Sequence, residues 1–231
     1  MRLIFGGNRQ FCATNSNQML SKPARKIGPS NRSITGKRSS QKTNRSQHFE
    51  SALERDYLLL LEWDETVEDY GVQPLTIYYE NNGRATRYTP DVVVYYLPEI
   101  KRKPVLIEIK YEAELLEKQD HYAARFKAAD EYAAYNGYEF RIVTDKMIRT
   151  DYLYNLKFLN GYQRPPIEDA FAQEILMLFS TKKLSPIQLP VSEDQHKNGR
   201  LLYTLWQLVA TKALVFDMQQ KLTMNTQLWI P

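Results

Sequence analysis

Two hydrophobic periods alternate along the first two thirds of the chain. Residues Phe49 to Trp63 contain no Gly or Pro and are rich in helix formers. Glu54, Tyr57, Leu58 and Leu61 fall at i, i+3, i+4 and i+7, one stripe of a helix. Glu54 therefore sits on a largely apolar face, with Glu50 one turn before it. Arg55, Asp56 and Glu62 point in freer directions. The period then drops to that of strands. Leu75-Thr76-Ile77-Tyr78-Tyr79 is β-branched and aromatic, Asn81-Asn82-Gly83 is a turn cluster, and Arg84 to Tyr88 reads as the return strand. Pro90 interrupts the ladder, so Asp91 opens a new strand or follows a bend. Val92 to Tyr96 is a continuous apolar run, as in a strand covered on both sides.

Pro98 to Pro104 is a basic connection to a further strand, Val105 to Lys110. Glu112 to Asn136 is helical in character, and Gly137 suits the position just past its end. Tyr138 to Val143 reads as another strand. A helix between two strands implies a parallel crossover, hence a mixed α/β sheet. After Arg164-Pro165-Pro166 the pattern changes. Ile167 to Phe179 and Arg200 to Leu214 read as helices. Leu214 to Ile230 reads as strands with a turn near Lys221 or Asn225, which suggests a small winged-helix domain. Apolar positions 201, 202, 205, 206, 208 and 209 belong to its core rather than to a binding surface.

Candidate chemistry lies where charges interrupt these runs. In Val105-Leu106-Ile107-Glu108-Ile109-Lys110, side chains alternate faces, so Glu108 and Lys110 point the same way. Opposite charges on one face of an inner strand are costly unless an ion pair or a metal satisfies them. A plain buried ion pair has the same sequence, as does an edge strand whose charges reach water. A Pro90-Asp91 step ahead of Glu-x-Lys, with Glu54 on an upstream helix, is also the set a magnesium-dependent nuclease needs. Carboxylates hold hard cations through oxygen, and an ammonium stands beside water and phosphate.

Charge is distributed unevenly. Ten of the 31 Lys and Arg residues lie in residues 1–49, which hold no Asp or Glu; the remainder carries 21 basic against 27 acidic residues. A basic leader on an acidic body reads as a nucleic-acid-binding arm, or as a solvated tail without a fixed partner. Ser, Asn, Thr and Arg dominate residues 28–47, so no independent core is expected there. Met19 offers an alternative start. The single Cys12 permits no internal disulfide and fits a reducing cytoplasm. Cys12 and His48, His121 and His196 have no zinc spacing. No stretch approaches the ~20 apolar residues of a membrane span. Nor does Gly6-Gly7 continue into a P-loop.

Phe49 to Asp56, Leu61 to Asp64, Gln73-Pro74-Leu75, Tyr88-Thr89-Pro90-Asp91 and Ile107-Glu108-Ile109-Lys110-Tyr111 together resemble TnsA, the endonuclease subunit of Tn-seven-like cut-and-paste transposons. Ser30 to Gly36 resembles the leader of short members in RNA-guided elements. The resemblance covers roughly residues 22–160. It implies a restriction-endonuclease-like core, with Glu54, Asp91, Glu108 and Lys110 as catalytic residues. It also implies Mg2+, with Mn2+ substituting, held by Glu54, Asp91, Glu108 and the carbonyl of Ile109. Some members carry Gln at the Glu108 position. Expected partners are DNA at transposon ends, a TnsB-like transposase and a TnsC-like ATPase contacted by the C-terminal region. Expected domains are a disordered basic arm at 1–47, a nuclease domain at 48–160 and a winged-helix-like partner-binding domain at 161–231. The rival readings are a catalytically silent adaptor built on the same fold, and a free-standing restriction or repair nuclease.

Overall fold

In the computed structural model, which describes Ala24, residues 34–164 and residues 169–231, the first element is a hairpin inside the supposed arm. β1 (Gly36–Ser39) pairs antiparallel with β2 (Ser46–Phe49), Gly36 opposite Phe49. A Cβ on Gly36 would fall 2.6 Å from the Phe49 ring, so the glycine makes room for that ring. The hairpin's polar side chains dock on the next helix and strand of the chain. Lys42 donates to the carbonyls of Asp64 and Val67, Arg45 pairs with Asp69, and Ser40 donates to Glu62. The expectation of a disordered arm through residue 47 therefore fails for residues 36–47. Composition hid this, because the order comes from tertiary polar contacts rather than from an apolar core. The rest of the arm, apart from Ala24, lies outside the described residues up to Ile34.

α1 (Ala52–Trp63) comes next, its N-terminus capped by Ser51, which accepts from the Glu54 amide. Its buried side chains are Leu53, Asp56, Leu58, Leu59 and Leu61. Asp56 thus does not have the free direction expected of it; it is buried and pairs with Arg55 at 3.5 Å. β3 (Val67–Val72), which the periodicity did not reveal, is an edge strand of the main sheet. β4 (Ile77–Asn81) and β5 (Arg84–Tyr88) form a separate hairpin. Asn82 and Gly83 take φ of 50° and 74°, as a two-residue type I′ turn demands.

β6 (Val92–Tyr96) and β7 (Val105–Lys110) are the inner strands. α2 (Glu112–Glu117) and α3 (Gln119–Asn136) replace the single expected helix, with the break at Lys118. Gly137 caps α3 at φ 78°, as expected. β8 (Glu139–Thr144) then pairs parallel with β7, and α4 (Asp145–Ile148) ends this part. The sheet order is β3-β6-β7-β8, antiparallel except for the last pair. This is the mixed sheet the helix–strand order implied.

One face of the sheet, through Val93 and Leu106, packs on Ala128, Ala129 and Ala133 of α3 and on Ile77, Tyr79 and Tyr88 of the β4–β5 hairpin. Val92, Val94, Val105 and Ile107, on the opposite face, are equally buried. Each such side chain contributes about 1.5–3 kcal/mol on burial. That reserve lets the ends of β6 and β7 carry charges.

The chain divides into two units, Met1–Ile148 and Arg149–Pro231, so that α5 (Asp151–Leu159) groups with the second, ahead of the expected boundary at 160. The second unit continues with α6 (Asp169–Leu178) and α7 (Gln195–Ala210). Leu205, Trp206, Leu208 and Val209 are buried, as the apolar pattern implied. The strands expected over 214–230 are reduced to two isolated antiparallel bridges, Leu184–Leu228 and Val215–Trp229. The loop between is organised by a fully buried side chain. Asn155 donates to the carbonyls of Met218 (3.0 Å) and Gln220 (2.8 Å) and accepts from the Leu222 amide (2.7 Å). No helix among the described residues is long and apolar enough to cross a membrane.

Candidate active site

The register of β6 against β7 brings the two inner acids together. Val92 pairs with Ile107, so Asp91, one residue before β6, stands beside Glu108. Asp91 is fixed by the neighbouring strand β7: its amide donates to the Ile107 carbonyl (3.0 Å), and its carboxylate accepts from the Ile109 amide (2.7 Å). Glu108 is almost fully buried and accepts from the Tyr88 hydroxyl at 2.6 Å. Lys110 reaches back along the same face. Its Nζ lies 2.8 Å from Glu108 Oε1, 3.1 Å from the Ile109 carbonyl and 3.9 Å from Asp91 Oδ2. Asp91 and Lys110 keep 21% and 19% of their side-chain surface exposed, against 3% for Glu108, so the cluster opens to solvent at those two residues.

Glu54 comes from the first turn of α1. Its carboxylate accepts from the Glu50 amide (2.8 Å) and the Ser51 hydroxyl (3.0 Å), tying down the start of its own helix. It is near enough to act on the cluster through its charge. Burial raises the proton affinity of Glu54, against the pull of those hydrogen bonds and of Lys110. Burial and then repulsion from Glu108 hold the Asp91 carboxyl well above the usual range, with Lys110 opposing and Glu54 adding to the rise. Burial alone would lower the Lys110 ammonium, but Asp91 and Glu108 outweigh it and the net direction is up. Lys110 therefore stays charged. Tyr88 is pushed far up by burial and by Glu108, so its hydroxyl remains a donor.

Among the described residues no group of three or more His, Cys, Asp or Glu side chains is arranged to hold a metal ion. The reason is local: Glu54 is turned to its helix, and the ammonium of Lys110 stands against the other oxygens. The donor chemistry nonetheless fits a hard cation. Oxygens of Glu108, Ile109 and Asp91 converge on one cation, here the ammonium, within 3.9 Å. Three carboxylates against one lysine leave the site short of positive charge, which adds to the effect of burial in raising the proton affinity of Asp91.

Residues 64–145 match the family model described as TnsA-like endonuclease N terminal. Over those residues the chain is similar to TnsA-like endonucleases, whose restriction-endonuclease-like core agrees with the mixed sheet described above. The match spans Asp91, Glu108, Ile109 and Lys110 and stops short of Glu54 and of everything beyond α4. No curated protein matches the chain. The structure thus brings Asp91, Glu108, Ile109 and Lys110 of the TnsA-like stretch into one cluster and sets Glu54 beside it. Sequence reading missed Tyr88, although it opens the Tyr88-Thr89-Pro90-Asp91 segment. Its place at the end of β5, facing inward like Ile77 opposite it, was the available signal.

Proposed function

We propose that this chain is a magnesium-dependent DNA endonuclease that cleaves at the 5′ ends of a transposon during cut-and-paste transposition. The observation that carries the reading is the convergence of Asp91, Glu108 and the Ile109 carbonyl on a single cation at the open end of two inner strands. Asp91 would be the main metal ligand, Glu108 and the Ile109 carbonyl would complete the near set, and Glu54 would supply a further carboxylate. When bound, a divalent ion supplies a Lewis acid for the phosphate and a water of lowered pKa. Mn2+ is expected to substitute. Lys110, its proton held tightly, serves as a cation and donor rather than as a base. It orients the attacking water and offsets charge developing on the phosphate. Tyr88 holds Glu108 in place.

The partners in this reading are a TnsB-like transposase, which completes the cut at the other strand, and a TnsC-like ATPase. The second unit, residues 161–231 in the expected division, is the winged-helix-like part that meets the ATPase. The working compartment is the cytoplasm. The test is a cleavage assay on end-containing DNA with Mg2+, Mn2+ or chelator, with and without the transposase and ATPase. Ion-dependent nicking that disappears in a folded Asp91→Ala protein is the expected result. No nicking under any combination, with DNA binding intact, supports the adaptor reading instead, which the engagement of Glu54 at its own helix terminus favours.

A further inference from the structure

The carboxylate cluster presents negative charge to a substrate that is itself an anion, so something on the protein must receive the DNA backbone beside it. One cation outside the cluster is placed for this. Arg125 lies on α3, half-buried. Its guanidinium carbon is 5.6 Å from the centroid of the Tyr88 ring and 5.3 Å from that of Tyr122. Among the described residues no carboxylate pairs with it. Its helical neighbours three and four residues away, His121, Tyr122, Ala128 and Ala129, offer none either. Its two aromatic contacts are themselves fixed. Tyr122 donates its hydroxyl to Glu114 at 2.6 Å and stacks on Phe126, while Tyr88 donates to Glu108 at 2.6 Å. One tyrosine therefore links Arg125 to the carboxylate cluster, ring to the cation and hydroxyl to the acid.

A partly buried guanidinium, held by ring faces with no hydrogen-bond acceptor among the described residues, is preorganised for a planar or tetrahedral oxyanion. We infer that Arg125 is a phosphate-binding residue: it takes a backbone phosphate of the DNA and sets the strand's register at the Asp91–Glu108–Lys110 cluster. This rests on the endonuclease reading. The alternative role, a cation that merely packs between two tyrosines, predicts loss of stability rather than loss of phosphate binding.

The experiment measures binding of the full chain to an end-containing duplex by fluorescence anisotropy in chelator, over a series of salt concentrations. Wild type is compared with Arg125→Met, Arg125→Lys and Lys127→Gln. Lys127, exposed on the same helix and 4.0 Å from Glu131, controls for net charge. Removing one phosphate contact lowers the slope of log affinity against log salt by about 0.9, which is roughly eightfold in affinity at 0.1 M salt relative to 1 M. Arg125→Met should show that fall with an unchanged unfolding midpoint. Lys127→Gln should show none. Arg125→Lys should keep the slope but cut more slowly at saturating DNA, because a point charge cannot fix register as a fork does. If Arg125→Met keeps the wild-type slope, the inference is wrong. If it unfolds, Arg125→Lys decides: a wild-type cutting rate at saturation overturns the inference, and a slowed one upholds it. A wild type that cuts while Arg125→Met matches it sinks this inference alone. A wild type that neither binds DNA nor cuts with its partners present removes the endonuclease reading and this inference with it.

Discussion

Replacing Lys110 by Met keeps the length of the side chain and removes the cation on which three oxygens converge. Without it, among the described residues the Glu108 carboxylate retains the Tyr88 hydroxyl and the Asp91 carboxylate the Ile109 amide. Deleting one partner of a buried ion pair costs about 3–5 kcal/mol. Asp91 recovers part of this, because its carboxyl already holds its proton more tightly than usual and can neutralise itself. A loss of about 3 kcal/mol in chelator is therefore expected, the low end of that range. With a urea slope of about 2 kcal/mol per molar, the midpoint falls by about 1.5 M. Divalent ion should reverse the order of effects. The ammonium no longer competes for the oxygens of Glu108, Asp91 and Ile109, so Lys110→Met should bind Mg2+ at least as tightly as wild type. It should gain more stability from saturating Mg2+ and still fail to cut. Urea unfolding in chelator and in Mg2+, calorimetric metal titration and single-turnover cleavage measure the three parts. Unchanged stability in chelator would show that the ammonium is solvated rather than holding the acids. Weakened metal binding would show that the oxygens and the lysine do not share one place.

Asp91→Asn should remove a pH dependence. A carboxyl whose folded proton affinity is raised contributes stability below its unfolded pKa, near 3.8, and that contribution is lost as pH rises through the folded value. In chelator, wild-type stability should thus decline as pH climbs out of the ordinary carboxylate range, and thermal melts of Asp91→Asn should not follow it. Removing residues 1–33 should lower the salt slope of DNA binding by a few units while leaving the fold, whereas removing residues 1–45 should also unseat Lys42, Arg45 and Ser40 from α1 and β3; equal melting midpoints for the two truncations would refute the structural role of the hairpin. Asn155→Leu strands one amide and two carbonyls of the 218–222 loop and should cost about 3–5 kcal/mol, at 1–3 kcal/mol for each buried unsatisfied group less the added apolar burial. A denaturation midpoint within error of wild type would show that the loop finds other partners.

The inner strands, the helical crossover between β7 and β8 and the acids on the inner strands were readable because their signals are local, although the break at Lys118 was not. Val92 to Tyr96 and Val105 to Lys110 are apolar runs whose interruptions are visible one residue at a time, and the Asn82-Gly83 turn declares its own geometry. β1, β2 and β3 were not readable, for a physical reason. The residues in and between them, such as Lys42 and Arg45 of the first turn and Asp69 of β3, look like solvated surface and are ordered by contacts across more than twenty positions. The buried Asp56 fails for a related reason, since periodicity places a side chain on a face but does not reveal that a neighbour will cover it. Tyr88 carried only the signal of its inward place on β5, and Arg125 carried none, because their roles come from the meeting of a hairpin, a strand and a helix.

The register of the first hairpin has a consequence for how the protein would find and hold its substrate. Gly36 stands opposite Phe49, so Thr35 and Ile34 emerge level with Glu50 and Ser51, where α1 begins. The basic leader is thus rooted beside the turn that carries Glu54. Any DNA the leader captures is tethered at the mouth of the cluster, and encounter with Asp91 and Lys110 becomes an intramolecular event. The local concentration of such DNA is then set by its attachment at that end of the cluster rather than by bulk DNA. Inserting a spacer at residue 34 would then slow capture without altering a single contact in the site.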